Sequence, residues 1–274
     1  MVQCKVCKSK VEPIFSKRIL KKYDATYFKC NHCDFVQTSD ATWLEEAYSN
    51  AITTLDIGLA SRNVWLTREV ANIIDICFPK AKNMLDFAGG YGLFVRLMRD
   101  AGYNFYRQDD YCENIFSNYF DQADSGINSF DLVTAFEVFE HFNKPTDEVK
   151  RVLSYSENLI FSTELLPSED IENWWYLSIE TGQHIAFYSL KTLEFIAKKN
   201  NKYLYSNGRN LHIFSKQKLP DTKIQKLFFP TAVKQSLLDR LLARVQRSRS
   251  AQKPIVRESY LQKDYKRIQE ILNK

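Results

Sequence analysis

The stretch 84–92, MLDFAGGYG, decides the fold of this 274-residue chain. Its first four residues form a short apolar run that predicts a buried strand, with Asp86 inside that run. Three glycines follow within five residues, and the segment LFVRLMRDAG then places apolar residues at helical spacing. Glycines let a backbone pass close to a ligand, and the start of a helix offers free N–H groups. The sequence therefore predicts a strand, a glycine turn and a helix around a bound ligand.

The spacing of the glycines separates two kinds of ligand. A dinucleotide fingerprint has the form G-x-G-x-x-G, and Val95 stands at its third glycine position, which disfavours an NAD-dependent dehydrogenase. An acid three positions before G-G-x-G instead resembles motif I of class I S-adenosylmethionine (SAM)-dependent methyltransferases. A turn without a ligand is the alternative, although an acid inside a buried strand needs a partner. The resemblance implies a set of cofactor-binding residues: Asp86, Ala88, Gly89, Gly90 and Gly92.

The segment 104–111, NFYRQDDY, predicts a second strand that ends in two acids. In α/β nucleotide sites, an acid about 20 residues beyond the glycine turn accepts hydrogen bonds from ribose hydroxyls. Asp109 lies 17 residues after Gly92 and is the predicted ribose ligand, with Asp110 as the second choice. Two solvated turn acids are the alternative. A helix through Ile115 and Tyr119 is expected to follow.

The segment 130–142, FDLVTAFEVFEHF, predicts a further strand that is closed by Glu137. It resembles the fourth-strand motif of small-molecule class I methyltransferases, FDLV-x-x-x-E-V-x-E-H. The resemblance implies that Phe136 and Glu137 line the pocket between cofactor and acceptor, with Glu137 as a candidate catalytic residue, and it gives His141 a weaker role of the same kind. A helix-capping or packing histidine is an equal alternative for His141.

These elements alternate as strand and helix, and two more strands complete the pattern. NLIFSTELL predicts one of them, and YLYSNGRNLHIFSK predicts a closing hairpin around Asn207 and Gly208. The fold class is therefore α/β: a Rossmann-like, doubly wound and mostly parallel sheet with an antiparallel terminal hairpin. Ligands of such sheets bind at the carboxyl ends of the strands.

The N-terminal segment carries two C-x-x-C pairs separated by 22 residues. In a cytosolic chain such pairs are more often metal ligands than disulfides, and four thiolates can close a tetrahedral structural zinc site. Redox-active or incidental pairs are the alternative. The prediction is a zinc-ribbon-like module whose folding energy comes largely from Zn²⁺, with these ligands: Cys4, Cys7, Cys30 and Cys33.

The segment 172–190, ENWWYLSIETGQHIAFYSL, is rich in aromatic residues around one histidine. An aromatic insertion after a strand suits a lid or acceptor wall, and Trp174, Trp175 and Tyr188 are the predicted contacts. His184 is the candidate general base because an imidazole titrates near neutral pH. A merely structural histidine is the alternative.

The string H-I-A-F-Y-S-L looks like the H-x-x-Y-F-S-L segment of deoxysugar C-methyltransferases, which also carry an N-terminal cysteine-rich zinc module. This resemblance implies a sugar or nucleotide-sugar acceptor. Thr181 and Gln183 stand where that family has Tyr and Glu. Oxygen methylation of a sugar hydroxyl is therefore as well supported as carbon methylation.

Charge and hydropathy divide the chain unevenly. The tail holds 15 basic and 5 acidic residues, whereas the formal net charge of the whole chain is +5. SLLDRLLARVQRSRS and SYLQKDYKRIQEILNK predict two tail helices, and TWLEEAYSNAI predicts an earlier helix with Thr42 as N-cap. We expect four parts: a zinc-ribbon-like module at 1–40, a helical cofactor cover at 41–80, a methyltransferase domain at 81–215 and a basic helical extension at 216–274.

The leading hypothesis is a SAM-dependent methyltransferase of a small, carbohydrate-type acceptor. The alternative is an RNA methyltransferase that binds nucleic acid through the zinc module and basic tail, but the strand ends in FEVFE and not in the N/D-P-P-Y/F of amino-group base methylases. A scaffold without catalysis is a third hypothesis. No apolar run approaches the roughly 20 residues of a membrane span, and no signal peptide is evident. We therefore expect a cytoplasmic protein, with homo-oligomerisation through the C-terminal extension as an open hypothesis.

Overall fold

The computed structural model describes residues 2–49, 52–229 and 257–273. Its strands are β1 Val11–Ile19, β2 Tyr23–Cys30, β3 Val36–Thr38, β4 Met84–Phe87, β5 Phe105–Gln108, β6 Leu132–Ala135, β7 Leu159–Ser162, β8 Ala186–Phe187, β9 Tyr203–Ser206 and β10 Leu211–Ser215. Its α-helices are α1 Leu44–Ala47, α2 Leu59–Cys77, α3 Leu93–Asp100, α4 Gln122–Ser125, α5 Pro145–Tyr155, α6 Leu190–Lys199, α7 Asp221–Phe228 and α8 Leu261–Leu272.

The central sheet has the strand order β5-β4-β6-β7-β10-β9. The first four strands run parallel, β10 pairs antiparallel with β7, and β9 pairs antiparallel with β10. The predicted Rossmann-like fold, with a mostly parallel sheet and an antiparallel closing hairpin, is confirmed. The order also brings the carboxyl ends of β5, β4 and β6 side by side, which places the glycine turn between two other strand ends.

Alternate residues of each strand pack into cores on opposite faces of the sheet, because side chains alternate with a period of two. Met84 of β4 packs in the core that also holds Leu66 and Val70 of α2. Leu85, the next residue, packs on the other face, in the core that holds Val149 of α5 and Leu193 of α6. Strands covered on both faces need continuous apolar sequence, and this is why MLDF, LVTA and LIFS could be recognised.

The cysteine-bearing segment forms a second, antiparallel sheet of order β1-β2-β3-β8. Strand β8 comes from beyond β7 in the chain and pairs with β3 through Val36 opposite Phe187 and Gln37 opposite Ala186. The hydroxyl of Thr192 on α6 also donates to the carbonyl of Cys33 at 2.7 Å. The predicted boundaries at 40, 80 and 215 stay predictions, but this sheet draws residues from both sides of the boundaries at 40 and 80.

Two local predictions are wrong. The segment from Tyr111 to Phe120 forms turns and not a helix, because the buried Asn114 side chain satisfies the backbone in place of a helical ladder. Its Oδ1 accepts from the N–H of Ser117 at 2.9 Å and its Nδ2 donates to the Ser117 carbonyl at 2.7 Å. Thr42 does not cap a helix, since α1 is a single turn with Trp43 in the N-cap position and no side-chain cap.

The tail contains the helix predicted in SYLQKDYKRIQEILNK, which appears as α8 and packs against α3. The other predicted tail helix, at 236–250, lies outside the described residues. Asp264 of α8 accepts from Nε and Nη2 of Arg99, both at 2.7 Å, and each side chain is 3% exposed. No described helix is long and apolar enough to cross a membrane.

This buried ion pair generates a stability prediction. Asp264→Ala leaves the Arg99 guanidinium buried without its anionic partner, and we expect it to lower the free energy of unfolding by about 3 kcal/mol in urea titrations. Glu270→Ala, at an exposed position of the same helix, serves as the control and should change that free energy by less than about 0.5 kcal/mol. Equal losses in the two variants would show that the ion pair does not fix α8 to the domain.

Candidate functional site at the strand ends

The glycine turn after β4 is held by a carboxylate from the neighbouring strand end. The N–H of Gly90 donates to Oδ2 of Asp109 at 2.8 Å. Ala88, Gly90 and Gly92 have φ of 54°, 55° and 83°, a left-handed conformation that glycine adopts without strain. The turn therefore bends sharply at the carboxyl edge of the sheet, the crevice where doubly wound folds bind ligands. A Cβ on Gly90 would lie 3.3 Å from Cδ1 of Ile52.

Two of the glycines are required by space as well as by conformation. A Cβ atom on Gly89 would lie 2.8 Å from Oδ2 of Asp86 and 2.8 Å from Cγ of Arg107. A Cβ atom on Gly92 would lie 2.3 Å from Oγ of Ser117. The turn segment around Ser117 therefore closes over the start of α3, an arrangement that the sequence did not indicate.

Asp86 is buried beneath the turn, with 3% of its surface exposed. Its Oδ1 accepts from the Thr134 hydroxyl at 2.6 Å. Burial raises the pKa of Asp86 to about 7, the Thr134 bond opposes that rise, and the charge of Asp109 adds to it. A carboxyl in such a setting is stabilised in its ionised form when a cation binds nearby.

The two acids after β5 have different surroundings. Oδ1 of Asp109 accepts from the N–H groups of Tyr111 at 2.8 Å and Cys112 at 2.7 Å, in addition to the bond from Gly90 at Oδ2. Asp110 is exposed and pairs with Arg151 across 2.5 Å. Asp109 is therefore the acid that faces the glycine turn, whereas Asp110 faces α5.

Arg107 is a site residue that the sequence analysis missed. Its buried guanidinium donates from Nη1 to the carbonyl of Gly90 at 2.5 Å and to the carbonyl of Cys112 at 2.9 Å. Its Nε pairs with Asp121 at 2.6 Å. Arg107 links both sides of the turn, and its guanidinium bonds to Asp121 and to backbone carbonyls. Its positive charge therefore points into the protein, and the acids determine the charge of the crevice. A single arginine within a strand carries no motif by which it could have been found.

A pocket of about 440 Å³ opens at the carboxyl ends of β6 and β7, where residues at the start of α2 also line it. Glu137 has a φ of 54°. Its Oε1 accepts from the Ser162 hydroxyl at 2.7 Å, and its backbone N–H donates to Oγ of Ser162 at 2.8 Å. Burial raises the pKa of Glu137, and the nearby Arg62 and the Ser162 bond oppose that shift. The remaining lining residues were not predicted as site residues: Gly58, Ser61, Arg62, Trp65, Leu66, Ser162 and Asn210.

The two candidate catalytic histidines lie together. The rings of His141 and His184 are edge to face with centroids 5.0 Å apart. Burial lowers the pKa of His141 to about 4, although hydrogen bonds to the Gln183 and Glu137 carbonyls oppose this shift. Burial and the charge of His141 together lower the pKa of His184 to about 3. Both imidazoles are therefore neutral at pH 7. No sequence motif pairs either histidine with Glu140, which is fully buried and has a carboxylate oxygen within 4.8 Å of a ring nitrogen of each.

The predicted aromatic wall is only partly at this site. Tyr188 has no exposed surface and donates its hydroxyl to the carbonyl of Phe139 at 2.9 Å, so it is a core residue and not an acceptor contact. Trp175 is 69% exposed, and Trp174 packs on Tyr176 with ring centroids 5.1 Å apart. Neither tryptophan lines the pocket, where the indole of Trp65 lies instead. Phe136 packs edge to face on Phe94 of α3, with centroids 5.0 Å apart, behind the turn.

The four predicted cysteine ligands converge at one end of the β1–β3 sheet. Sγ of Cys4 lies 3.6 Å from Sγ of Cys33, and Sγ of Cys7 lies 3.4 Å from Sγ of Cys30. Tetrahedral zinc with Zn–S bonds of about 2.3 Å places sulfurs roughly 3.8 Å apart. The two C-x-x-C segments end in the same backbone conformation, because the residues that follow them, Lys8 and Asp34, have left-handed φ values of 66° and 59°. The thiol set therefore fits a structural zinc ion.

Comparison with known proteins supplies the family. A family model described as "Methyltransferase domain" matches residues 62–206, a range that contains the glycine turn, Asp109, Glu137 and both histidines of the cluster. Among curated proteins, none matches the chain.

Several solved structures, two of them described as methyltransferases, resemble the chain at low identity. TnmH is 14% identical with a TM-score of 0.45, over 64% of this chain and 61% of TnmH. The plantazolicin methyltransferase BpumL, in complex with SAH, is 9% identical with a TM-score of 0.46, over 65% of this chain and 95% of its own. The magnesium protoporphyrin IX methyltransferase of Synechocystis PCC 6803, with bound SAH, is 11% identical with a TM-score of 0.43, over 65% of this chain and 100% of its own. At these values the similarity carries no information about the acceptor.

The crowding around Gly92 generates a prediction for the turn. We expect Gly92→Ala to destabilise the protein by about 2 kcal/mol more than Gly208→Ala in thermal or urea unfolding. Both positions have positive φ, 83° and 77°, so both variants carry similar backbone strain, but a Cβ on Gly208 meets no described atom within 4 Å. Equal destabilisation would mean that the segment around Ser117 yields freely and does not close over the start of α3.

Proposed function

The chain belongs to the methyltransferase-domain family, and on that basis we propose that it transfers the methyl group of SAM to a hydroxyl of a small acceptor of the sugar or nucleotide-sugar class. The observation that carries the proposal is the carboxylate of Asp109 bonded to the N–H of Gly90 at the adjoining ends of β4 and β5. That arrangement supports the binding of a nucleoside whose amino-acid end lies over the glycine turn.

The charges of the crevice favour a cationic donor. Asp86, Asp109 and Glu137 are acids at three neighbouring strand ends, and burial raises the pKa of Asp86 and of Glu137. SAM carries a positive sulfonium and an ammonium group, so its binding stabilises these carboxylates in their charged forms. A dinucleotide would bring negative phosphates to the same place. Asp109 would accept a ribose hydroxyl hydrogen at Oδ2, where its three backbone bonds leave one of about four lone-pair sites free.

The pocket at β6 and β7 is the proposed acceptor site, with Glu137 between it and the donor. Trp65 offers an indole face and Ser162 and Asn210 offer polar groups, a combination that suits a sugar ring. Most of the rate would come from alignment of the acceptor oxygen with the sulfonium methyl group. The hydroxyl proton would leave either to Nε2 of His184 or to water.

We also propose that the cysteine module holds one structural Zn²⁺ through Cys4, Cys7, Cys30 and Cys33, as the thiol spacing supports. Zinc there would stabilise the β1–β3 sheet. Because β3 pairs with β8, directly after His184, the module would also fix the position of that histidine.

Loss of a ligand tests the zinc proposal. We expect wild-type protein to contain one zinc per chain by elemental analysis, and Cys30→Ser to contain substantially less. We also expect faster amide hydrogen exchange in β3 and β8 of the variant, because the sheet loses the ion that links its two C-x-x-C segments. Cys77→Ser, which alters a cysteine outside the cluster, is the control. Unchanged zinc content in Cys30→Ser would overturn the assignment.

Calorimetry with SAM tests the donor site. We expect Asp109→Ala to weaken SAM binding about tenfold or more, because the ribose hydroxyls and the N–H of Gly90 lose their acceptor. Asp110→Ala is the matched control, since its carboxylate faces Arg151, and it should bind SAM within about twofold of wild type. Equal affinity in wild type and Asp109→Ala would overturn the ribose assignment.

Methyl-labelled SAM then tests the acceptor class on the same preparations. Incubation with a panel of nucleotide sugars and, in parallel, with RNA should place the label in the small-molecule fraction. Label that appears in RNA would replace the proposed acceptor by a nucleic acid. Failure of wild type to bind either SAM or its demethylated product would overturn the donor itself.

A further inference from the structure

Three side chains close to Glu137 and Arg62 offer the donor atoms of a metal site. Glu140, His141 and His184 each present one ligand atom, and these atoms lie within 4.8 Å of one another. Oε1 of Glu140 is 4.0 Å from Nε2 of His141. The cysteine cluster does not contribute to this group, so it is a second candidate centre in the described part of the chain.

Both imidazoles are oriented by backbone carbonyls. Nδ1 of His141 lies 3.0 Å from the carbonyl of Gln183, and Nδ1 of His184 lies 2.7 Å from the carbonyl of Tyr176. A carbonyl can only accept, so each Nδ1 carries the hydrogen and each neutral ring has its lone pair at Nε2. A histidine that donates one ring N–H to a carbonyl is oriented as metal-ligating histidines are.

The third group is a carboxylate that lacks compensation. Glu140 has no exposed surface, and neither of its carboxylate oxygens makes a hydrogen bond of full geometry with a described residue. The nearest donors are the hydroxyls of Thr163 and Tyr176, which lower the pKa of Glu140 but do not offset the larger upward effects of burial and of Glu137. Several unsatisfied buried oxygens in one place point to a missing ion or water. An ion on Glu140 would compensate its charge while both hydroxyls continue to donate toward the same carboxylate.

We propose that Glu140, His141 and His184 bind a divalent first-row transition-metal ion through one carboxylate oxygen and two Nε2 atoms. Two imidazoles among three donors favour Zn²⁺, Mn²⁺, Fe²⁺ or Co²⁺ over Mg²⁺ and Ca²⁺. Bonds of about 2.1 Å require donor atoms roughly 3.0–3.5 Å apart, so the side chains close inward by about an ångström on binding. Three protein ligands leave positions open for a substrate.

The ion holds the acceptor hydroxyl in position for methyl transfer, and in this respect the inference rests on the proposed function. An acceptor hydroxyl that binds the ion becomes more acidic and loses its proton to water. Its oxygen then forms a bond to the sulfonium methyl carbon while the carbon–sulfur bond breaks, giving a methyl ether and the neutral thioether of the demethylated donor. Between the two proton routes above, the ion selects water, because Nε2 of His184 is a metal ligand.

The test uses the full chain with its cysteine site first loaded with one equivalent of zinc. Mn²⁺ is the probe because it prefers oxygen and imidazole donors to thiolates, and its paramagnetic resonance signal distinguishes free from bound ion. We expect one Mn²⁺ per chain, with affinity lowered about tenfold or more in Glu140→Gln and in His184→Asn. Glu169→Gln, at an exposed acid outside the cluster, should bind Mn²⁺ as wild type does.

Wild-type protein that binds no Mn²⁺, Co²⁺ or Zn²⁺ beyond the cysteine site at millimolar concentration would overturn the proposal, even if every variant failed to fold. A folded Glu140→Gln that keeps wild-type affinity would also overturn it. SAM calorimetry on the same metal-free and Mn²⁺-loaded samples reports the donor site separately. Loss of SAM binding would therefore overturn the proposed function and leave the ion site standing.

Discussion

The hydrogen bond from the N–H of Gly90 to Asp109 is the contact on which the rest of the site depends. It joins the ends of β4 and β5 and sets the path of the backbone between strand and helix. Arg107 completes the clamp from the other side through the carbonyl of Gly90. With its backbone groups engaged in this way, the turn can remain left-handed at Gly92 and leave a crevice above it. A site whose shape is fixed before the ligand arrives loses little ordering entropy on binding.

Buried acids at the strand ends give this crevice its chemical character. Asp86 and Glu137 are held where water is scarce, so each is less stable when charged than a surface carboxylate would be. Arg107 turns its charge toward Asp121, and Arg62 pairs with Asp56. The crevice therefore gains from cationic ligands. This single property supports both a sulfonium donor over the glycine turn and a metal ion beside the histidines.

The cysteine module and the methyltransferase sheet are joined more closely than their separation in the chain indicates. Strand β8 belongs to the module's sheet although it lies beyond β7 in sequence. Trp43, which is buried, donates from its indole nitrogen to the carbonyl of Gly182 at 2.7 Å. The backbone on both sides of His184 is thus held by residues near the N-terminus. Folding of the module and geometry of the histidine pair are coupled for this reason.

The sequence by itself determined the fold class, because each parallel strand is an apolar run and each helix has its own periodicity. It also placed Asp109 and Glu137 at strand ends, since these positions follow directly from strand boundaries. Only the tertiary structure decided which buried side chains meet. Glu140 lies near His184 because its carbonyl accepts from the N–H of Ile185 at 2.9 Å, and Tyr188 is held in the core by the bond from its hydroxyl to the Phe139 carbonyl. Contacts between residues distant in the chain depend on such pairing, and local patterns of hydrophobicity and glycine carry no record of it.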